Sequence, residues 1–179
     1  MNEIFEVDIK GYNAKLPLIK LSEKITIAFF NLHGDAKLTE HCGKELSKLV
    51  EDSDVLITAE SKGLQLTHVV ARESGLYDYA VARKSKKLSM NDGICIEYGS
   101  SITTGKPQEF HLSARDVNLI KGKKVCIIDD VISTGTSLIG LEKLIEKAGG
   151  IVHKKLFVLA EGDAAKRPDV KFLATIPLF

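Results

Sequence analysis

Short apolar runs bounded by Gly, Asp and Ser alternate along this chain with segments whose apolar residues recur every three or four positions. Ile25 to Phe30 and Val55 to Ala59 read as strands. Between them Leu38, Cys42, Leu46, Leu49 and Val50 share one helical face, with Thr39 as the expected N-cap. A second helix is expected from Leu64 to Ser74, stopped by Gly75, and a short strand from Tyr79 to Ala82. Val125-Cys126-Ile127-Ile128 is wholly apolar, the signature of a strand buried on both faces, and Cys126 there counts as a small hydrophobe. Leu138, Leu141, Leu144 and Ile145 mark a helix from Leu138 to Ala148 that Gly149-Gly150 ends. Ile151 to Ala160 and Phe172 to Ile176 complete the series as strands.

Strands alternating with helices predict βαβ units, hence an α/β fold with a mainly parallel twisted sheet and helices on both faces. The middle departs from this pattern. Arg83 to Asp92 holds four basic residues and few large apolar ones. Ile94 to Tyr98 and Gln108 to Leu112 read as a strand pair flanking a polar, Gly-containing loop, so residues 83–112 are expected to form a mobile flap. Ligands on such sheets bind beyond the carboxyl ends of the strands, and chemistry is sought there first.

Composition narrows the classes. A length of 179 residues suits a single domain spanning 1–179. Lys and Arg total 25 against 24 Asp and Glu, a net charge of +1 that argues against a general electrostatic grip on nucleic acid or anionic membrane. Hydrophobic residues at 44% and charged residues at 27% are ordinary for a globular domain. No apolar run approaches a membrane span, and Met1-Asn2-Glu3-Ile4-Phe5-Glu6 lacks the pattern of a secretory signal. Cys42, Cys95 and Cys126 are odd in number and widely spaced, which offers no disulfide framework. His33, His41, His68, His111 and His153 show no metal-ligand spacing, and no P-loop or dinucleotide glycine fingerprint is present. A cytoplasmic chain with neither nucleic-acid nor membrane partners is expected.

The chemistry concentrates in residues 125–137. A buried strand delivers two adjacent carboxylates, Asp129 and Asp130, to its carboxyl end. Ser133, Thr134, Thr136 and Ser137 follow with hydroxyls, and Gly135 lets the backbone turn its N–H groups outward as a helix begins. Such a turn cradles a phosphate dianion. The carboxylates accept hydrogen bonds from a diol or help hold a divalent cation. A sugar diol close to a phosphate, as in ribose 5-phosphate, satisfies both halves.

This stretch closely resembles the phosphoribosyl-pyrophosphate signature of the type I phosphoribosyltransferases. The resemblance implies that Asp129 and Asp130 take the ribose, and that Ser133, Thr134, Gly135, Thr136 and Ser137 take the 5-phosphate. Thr58-Ala59-Glu60-Ser61-Lys62-Gly63 is similar to the pyrophosphate-binding loop of purine phosphoribosyltransferases, implicating Glu60, Ser61, Lys62 and Gly63. Ala82 to Leu88 resembles the family's basic segment, with Lys84 and Lys87 as the implied pyrophosphate contacts. Glu97-Tyr98-Gly99 looks like the tripeptide of the catalytic flap in adenine phosphoribosyltransferases, where the Glu handles the purine proton, although this chain carries extra residues after it, including Ile102 to Lys106. Phe29 to Asp35 resembles a base-contacting segment of bacterial xanthine phosphoribosyltransferases, making Asn31 the candidate base contact within a hood of residues 1–35. Ser133 stands where many 6-oxopurine enzymes carry an Asp. The implied function is purine phosphoribosyl transfer on the type I fold, with adenine first and xanthine second. Hypoxanthine or guanine transfer, or a non-catalytic sensor of phosphoribosyl pyrophosphate, stand as alternatives. The resemblance also implies Asp130 and Glu97 as catalytic residues and a homodimer. It further implies Mg²⁺ held through pyrophosphate with Asp129 and Asp130 as further ligands.

Overall fold

A computed structural model describes residues 3–23, 25–88, 90–100 and 107–179. In chain order its elements are β1 (Ile4–Ile9), β2 (Tyr12–Ser22), β3 (Ile25–Ala28), α1 (Ala36–Ser47), β4 (Val55–Ala59), α2 (Gly63–Ser74) and β5 (Tyr79–Ala82). Then come β6 (Ile94–Ser100), β7 (Pro107–Leu112), α3 (Ala114–Ile120), β8 (Lys124–Ile132), α4 (Thr136–Lys147), β9 (Ile151–Glu161) and β10 (Lys171–Ile176), with a short 3-10 helix at Gly162–Lys166.

The centre is a five-stranded sheet in the order β10-β9-β8-β4-β5, and every pairing in it is parallel. Its middle strand explains the apolar run. Alternate side chains of β8 point to opposite faces, so Cys126 and Ile128 pack with α1, α2 and the amino-terminal strands. Val125 and Ile127 pack with α3, α4, β6 and β7. All four are fully buried. Two apolar layers therefore grip one sheet, the arrangement the alternation of elements predicts.

Several boundaries differ from expectation for identifiable reasons. Helix α1 starts at Ala36, and its N-cap is Asp35, whose carboxylate accepts from Leu38 N at 2.9 Å. Thr39 lies inside the first turn, where its hydroxyl donates to the Asp35 carbonyl at 2.7 Å. The cap precedes the first apolar position by three residues because the side-chain acceptor must reach an N–H of the first turn. Strand β8 runs on to Ile132, held by pairing of Asp129 with Phe157 and of Val131 with Leu159, so the acidic pair sits within the strand's last residues. Helix α4 begins at Thr136, directly after Gly135.

The hood is an antiparallel sheet, β1-β2-β3, turned at Lys10-Gly11 with both residues at positive φ. The predicted strand from Ile25 is its last member, and it ends at Ala28. The flap is an antiparallel ribbon of β6 and β7, joined to the body by an isolated bridge between Arg83 and His111. The Gly-containing loop residues Ile102 to Lys106 lie outside the described residues. Among the described residues, no helix is long and apolar enough to cross a membrane.

Candidate active site

Register brings the site together. Ile57 of β4 pairs with Ile127 of β8, so the segment leaving β4 at Ala59 emerges beside Asp129 and Asp130. Ala59 pairs in turn with Ala82 of β5, which sets Arg83 and Lys84 beside Glu60. A cavity of about 310 Å³ opens at these three strand ends, walled by Glu60, Ser61, Lys62, Lys84, Asp129 and Asp130, with Ser137 closing one side. Contiguous with it along Asp129 is a smaller hollow of about 160 Å³ formed by the loop Ser133 to Ser137.

The loop is shaped by backbone. Gly135 has φ +79°, a conformation that side chains disfavour, and as N-cap it brings no side-chain acceptor to α4. Thr134 Oγ1 makes one long contact with Thr136 N at 3.5 Å, and the amino end of α4 faces the hollow with its positive dipole end. Thr134 and Thr136 hydroxyls lie 3.0 Å apart, one donating to the other. A Cβ at Gly135 would stand 2.7 Å from Arg167 Nη1, so Arg167 flanks the cradle. Asp169 holds that guanidinium through bonds of 3.0 and 2.7 Å, which lower the Asp169 pKa.

The carboxylates are sharply asymmetric. Asp130 is 7% exposed, and its Oδ2 has no hydrogen-bond partner; Lys62 Nζ stands 3.7 Å away. Asp129 is half-buried and accepts from Asp130 N at 2.9 Å. Desolvation and the adjacent Asp130 charge push the Asp129 pKa up to about 8. A buried acceptor without a donor is costly, and such sites are where ligands bind.

The opposite wall is cross-linked by charge. Glu60 accepts from Lys84 N at 2.7 Å through Oε1, while Oε2 pairs with Arg83 Nε at 2.6 Å. Both Glu60 oxygens thus hold the basic segment in place and leave Lys84 Nζ facing the cavity. The Glu60–Ser61 peptide is cis. Lys62 reaches back to the Phe30 carbonyl at 3.4 Å and lies over the Phe29 ring at 5.1 Å, tying the end of the hood to this wall. Gly63 opens α2 in close quarters: a Cβ there would meet Thr58 Oγ1 at 2.1 Å and Asp129 Oδ1 at 3.2 Å. Its small size is required for packing beneath the carboxylates.

Three expected site residues lie elsewhere. Lys87 is exposed and its Nζ donates to Ser85 Oγ at 2.9 Å, away from the cavity walls. Asn31 lines a separate cavity of about 480 Å³ against β2 and α1, and its amide serves its own turn, accepting from His33 N at 3.2 Å. Glu97 is exposed and opposite Glu109 on the ribbon. Its neighbour Tyr98 points inward instead, stacked on Phe110 at 4.2 Å and pressed on Gly140. Tyr98, Arg83 and Arg167 are the residues that motif reasoning passed over. Tyr98 stood inside a quoted tripeptide and Arg83 inside the basic run, but nothing in sequence connects Arg167 to Gly135.

Comparison with known proteins gives a consistent neighbourhood. The family model for the phosphoribosyl transferase domain matches residues 31–176. A xanthine phosphoribosyltransferase of Exiguobacterium sp. is 31% identical over 148 residues, covering 78% of this chain and 75% of its own. An adenine phosphoribosyltransferase of Methanococcus maripaludis is 31% identical over 142 residues, covering 76% and 77%. The crystal structure of adenine phosphoribosyltransferase from Thermoanaerobacter pseudethanolicus superposes with a TM-score of 0.70 at 22% identity, over 97% of this chain and 95% of that one. At that identity the likeness is one of fold.

Proposed function

The chain belongs to the phosphoribosyl transferase family, and on that premise we propose that it moves the 5-phosphoribosyl group from phosphoribosyl pyrophosphate to a purine base, adenine first and xanthine second. The products are the nucleoside monophosphate and pyrophosphate. One observation carries this: the carboxylate pair is flanked on one side by the glycine-led helix-start cradle and on the other by Lys62 and Lys84. That is the order phosphate, diol, pyrophosphate along a single ligand. The names of the relatives support a purine as acceptor.

In this mechanism the loop Ser133 to Ser137 holds the 5-phosphate through hydroxyls and N–H groups. Asp129 and Asp130 accept hydrogen bonds from the ribose hydroxyls, and Asp130 faces the positive charge that develops at the anomeric carbon. The bond from that carbon to the pyrophosphate oxygen breaks with its electron pair going to the leaving group. Lys62 and Lys84, with Ser61 at the rim, neutralise the charge that accumulates there. A purine nitrogen forms the new bond from the opposite face, and its proton passes to solvent. Glu97 faces away from this cavity, and no step is assigned to it.

Asp130 Oδ2, a buried carboxylate oxygen without a donor, is a hard ligand of the kind Mg²⁺ takes, so the residues present fit that cation. Asp129 and Asp130 would hold it together with the pyrophosphate, and it supplies further neutralisation of the leaving group. A homodimer acting in the cytoplasm completes the proposal, from the family resemblance.

The test is a pyrophosphate-release assay with adenine, xanthine, hypoxanthine and guanine, repeated on Asp130→Asn. Adenine is expected to give the highest kcat/KM, and the variant to lose most of it. If every base is inert while calorimetry shows phosphoribosyl pyrophosphate binding, the protein is a ligand sensor and the enzymatic proposal fails.

A further inference from the structure

The face of the ribbon opposite Tyr98 and Phe110 carries a second constellation, next to the segment that presents Lys84. Cys95 of β6 is directly opposite His111 of β7, and Glu97 is directly opposite Glu109. In an antiparallel pair these four alternate positions share one face as a two-by-two block. Cys95 Sγ stands 3.7 Å from His111 Nε2, and Glu109 Oε2 stands 2.9 Å from the same nitrogen. Thiol, imidazole and carboxylate ligand atoms all lie within 4.8 Å of one another. The cluster forms across strands, where sequence separation carries no signal.

We propose that Cys95, Glu109 and His111 form a binding site for a thiophilic divalent cation of the Zn²⁺ class, at the root of the flap. Zn–S and Zn–N bonds of about 2.3 and 2.0 Å place tetrahedral sulfur and nitrogen about 3.5 Å apart, close to the observed separation. The site is graded in exposure as a loadable site must be: the His111 side chain is 8% exposed and that of Glu109 43%. Charge points the same way. Glu97 and Glu109 are like charges in directly opposed positions, which destabilises a ribbon unless a cation lies between or beside them. Lys147 spends its ammonium on the Cys95 carbonyl at 2.8 Å, and Arg83 pairs with Glu60.

Binding breaks the His111–Glu109 hydrogen bond: the Nε2 proton is exchanged through solvent to Nδ1, freeing the Nε2 lone pair, and the thiol proton of Cys95 goes to solvent, so three ligands replace one hydrogen bond. A fourth position is left for water, with Glu97 at the rim. Because His111 also bridges Arg83, the cation fastens both ribbon strands to the segment that presents Lys84. This inference does not depend on which base is transferred, nor on transfer itself.

The experiment uses the full chain, stripped with a chelator and free of phosphate ligands, titrated with Zn²⁺ against a chromophoric chelator and separately with Co²⁺. Wild type is expected to take one Zn²⁺, and Co²⁺ to give a near-ultraviolet thiolate-to-metal absorption. Cys95→Ser is expected to abolish that absorption and weaken Zn²⁺ binding by more than about 100-fold. Cys42 and Cys126 are fully buried, with thiols pushed up to about 12, so a thiolate band from the folded chain reports Cys95. Zn²⁺ should also raise the Tm of wild type and leave that of Cys95→Ser unchanged. His111 is buried, so Glu109→Gln serves as the second ligand variant and should weaken binding at least tenfold. Equal Zn²⁺ affinity in wild type and Cys95→Ser, or Co²⁺ binding without a thiolate band, overturns the proposal.

Discussion

The two ends of the candidate site are built in different ways. The phosphate side comes from one unbroken strand, loop and helix, and its shape rests on backbone: Gly135 at positive φ, a helix N-cap without a side chain. The pyrophosphate side is assembled from three segments that meet only in space, tied by Glu60 to Arg83 and Lys84 and by Lys62 to Asp130. In the proposed reaction the 5-phosphate keeps its charge throughout, whereas pyrophosphate gains charge as it departs. A fixed dipolar cradle suits the first. Cationic side chains positioned by ion pairs suit the second, because their stabilisation grows with the developing charge.

Asp130 is shared by both sides, and its replacement should have the largest effect. Asp130→Asn is expected to lower kcat/KM about 100-fold, the scale of losing one preorganised electrostatic group. Its stability should hold or rise, since the change removes a buried charge whose Oδ2 lacks a hydrogen-bond donor and which repels Asp129, and these outweigh the 3.7 Å ion pair with half-exposed Lys62. Thermal melting alongside the activity assay checks both halves; equal losses in the two would make Asp130 a structural residue. Next in size is Gly63→Ala, on the pyrophosphate side alone. A Cβ 2.1 Å from Thr58 Oγ1 forces a shift expected to cost about 1–3 kcal/mol and to lower the Tm by several degrees. Adding Thr58→Ala removes the clashing oxygen and should return part of that loss. An unchanged Tm in the single variant means the helix start tolerates a side chain.

The same contrast explains what was legible in the sequence. Residues 125–137 were readable because buried strand, acidic pair, hydroxyl loop and helix face follow one another with no tertiary information needed. The parallel sheet was readable for a similar reason, since apolar runs such as Val125 to Ile128 alternate with helical periods. Glu60 was visible as part of a loop, but its function as a clamp on Arg83 and Lys84 depends on the register between β4 and β5. Tyr98 was hidden by an alternation that a bulge after Glu97 disturbs, and only packing on Gly140 shows which residue of the tripeptide turns inward. The hood strands β1 and β2 were missed because their exposed positions alternate with a few buried ones, Val7, Ile9, Ala14 and Leu16, too sparse a pattern to stand out. Family matching begins at residue 31, so that hood lies beyond it as well.

A third experiment loads the two sides separately. Glu60→Gln removes the charge that positions Arg83 and Lys84, and is expected to raise KM for phosphoribosyl pyrophosphate about tenfold, the value of one charge-assisted hydrogen bond. Thr136→Ala deletes one hydroxyl while the backbone N–H groups remain, and is expected to raise it only about threefold. Added salt should weaken substrate binding in wild type and less so in Glu60→Gln, because the ordered cations are what salt screens. Equal KM values for the two variants would erase the distinction between the sides.

The smallest expected effect is on pH dependence, and it falls where the sides meet. The Asp129 carboxyl is pushed from 3.8 to about 8 by burial and by Asp130, so the native state keeps a proton that the unfolded chain has lost. Stability from this group is complete below about pH 4 and is lost as pH rises toward 8, since ΔG of unfolding falls wherever the native state binds more protons. Asp169 and Glu40, both shifted downward by paired arginines, act in the opposite sense and lose their contribution as pH falls. Wild type alone therefore shows a sum, and the comparison with Asp129→Asn isolates the term. Melting curves of the free protein between about pH 5 and 8 should decline more steeply in wild type than in Asp129→Asn. Parallel curves would mean that Asp129 is already ionised without ligand, and that the carboxylate pair is not held poised by burial.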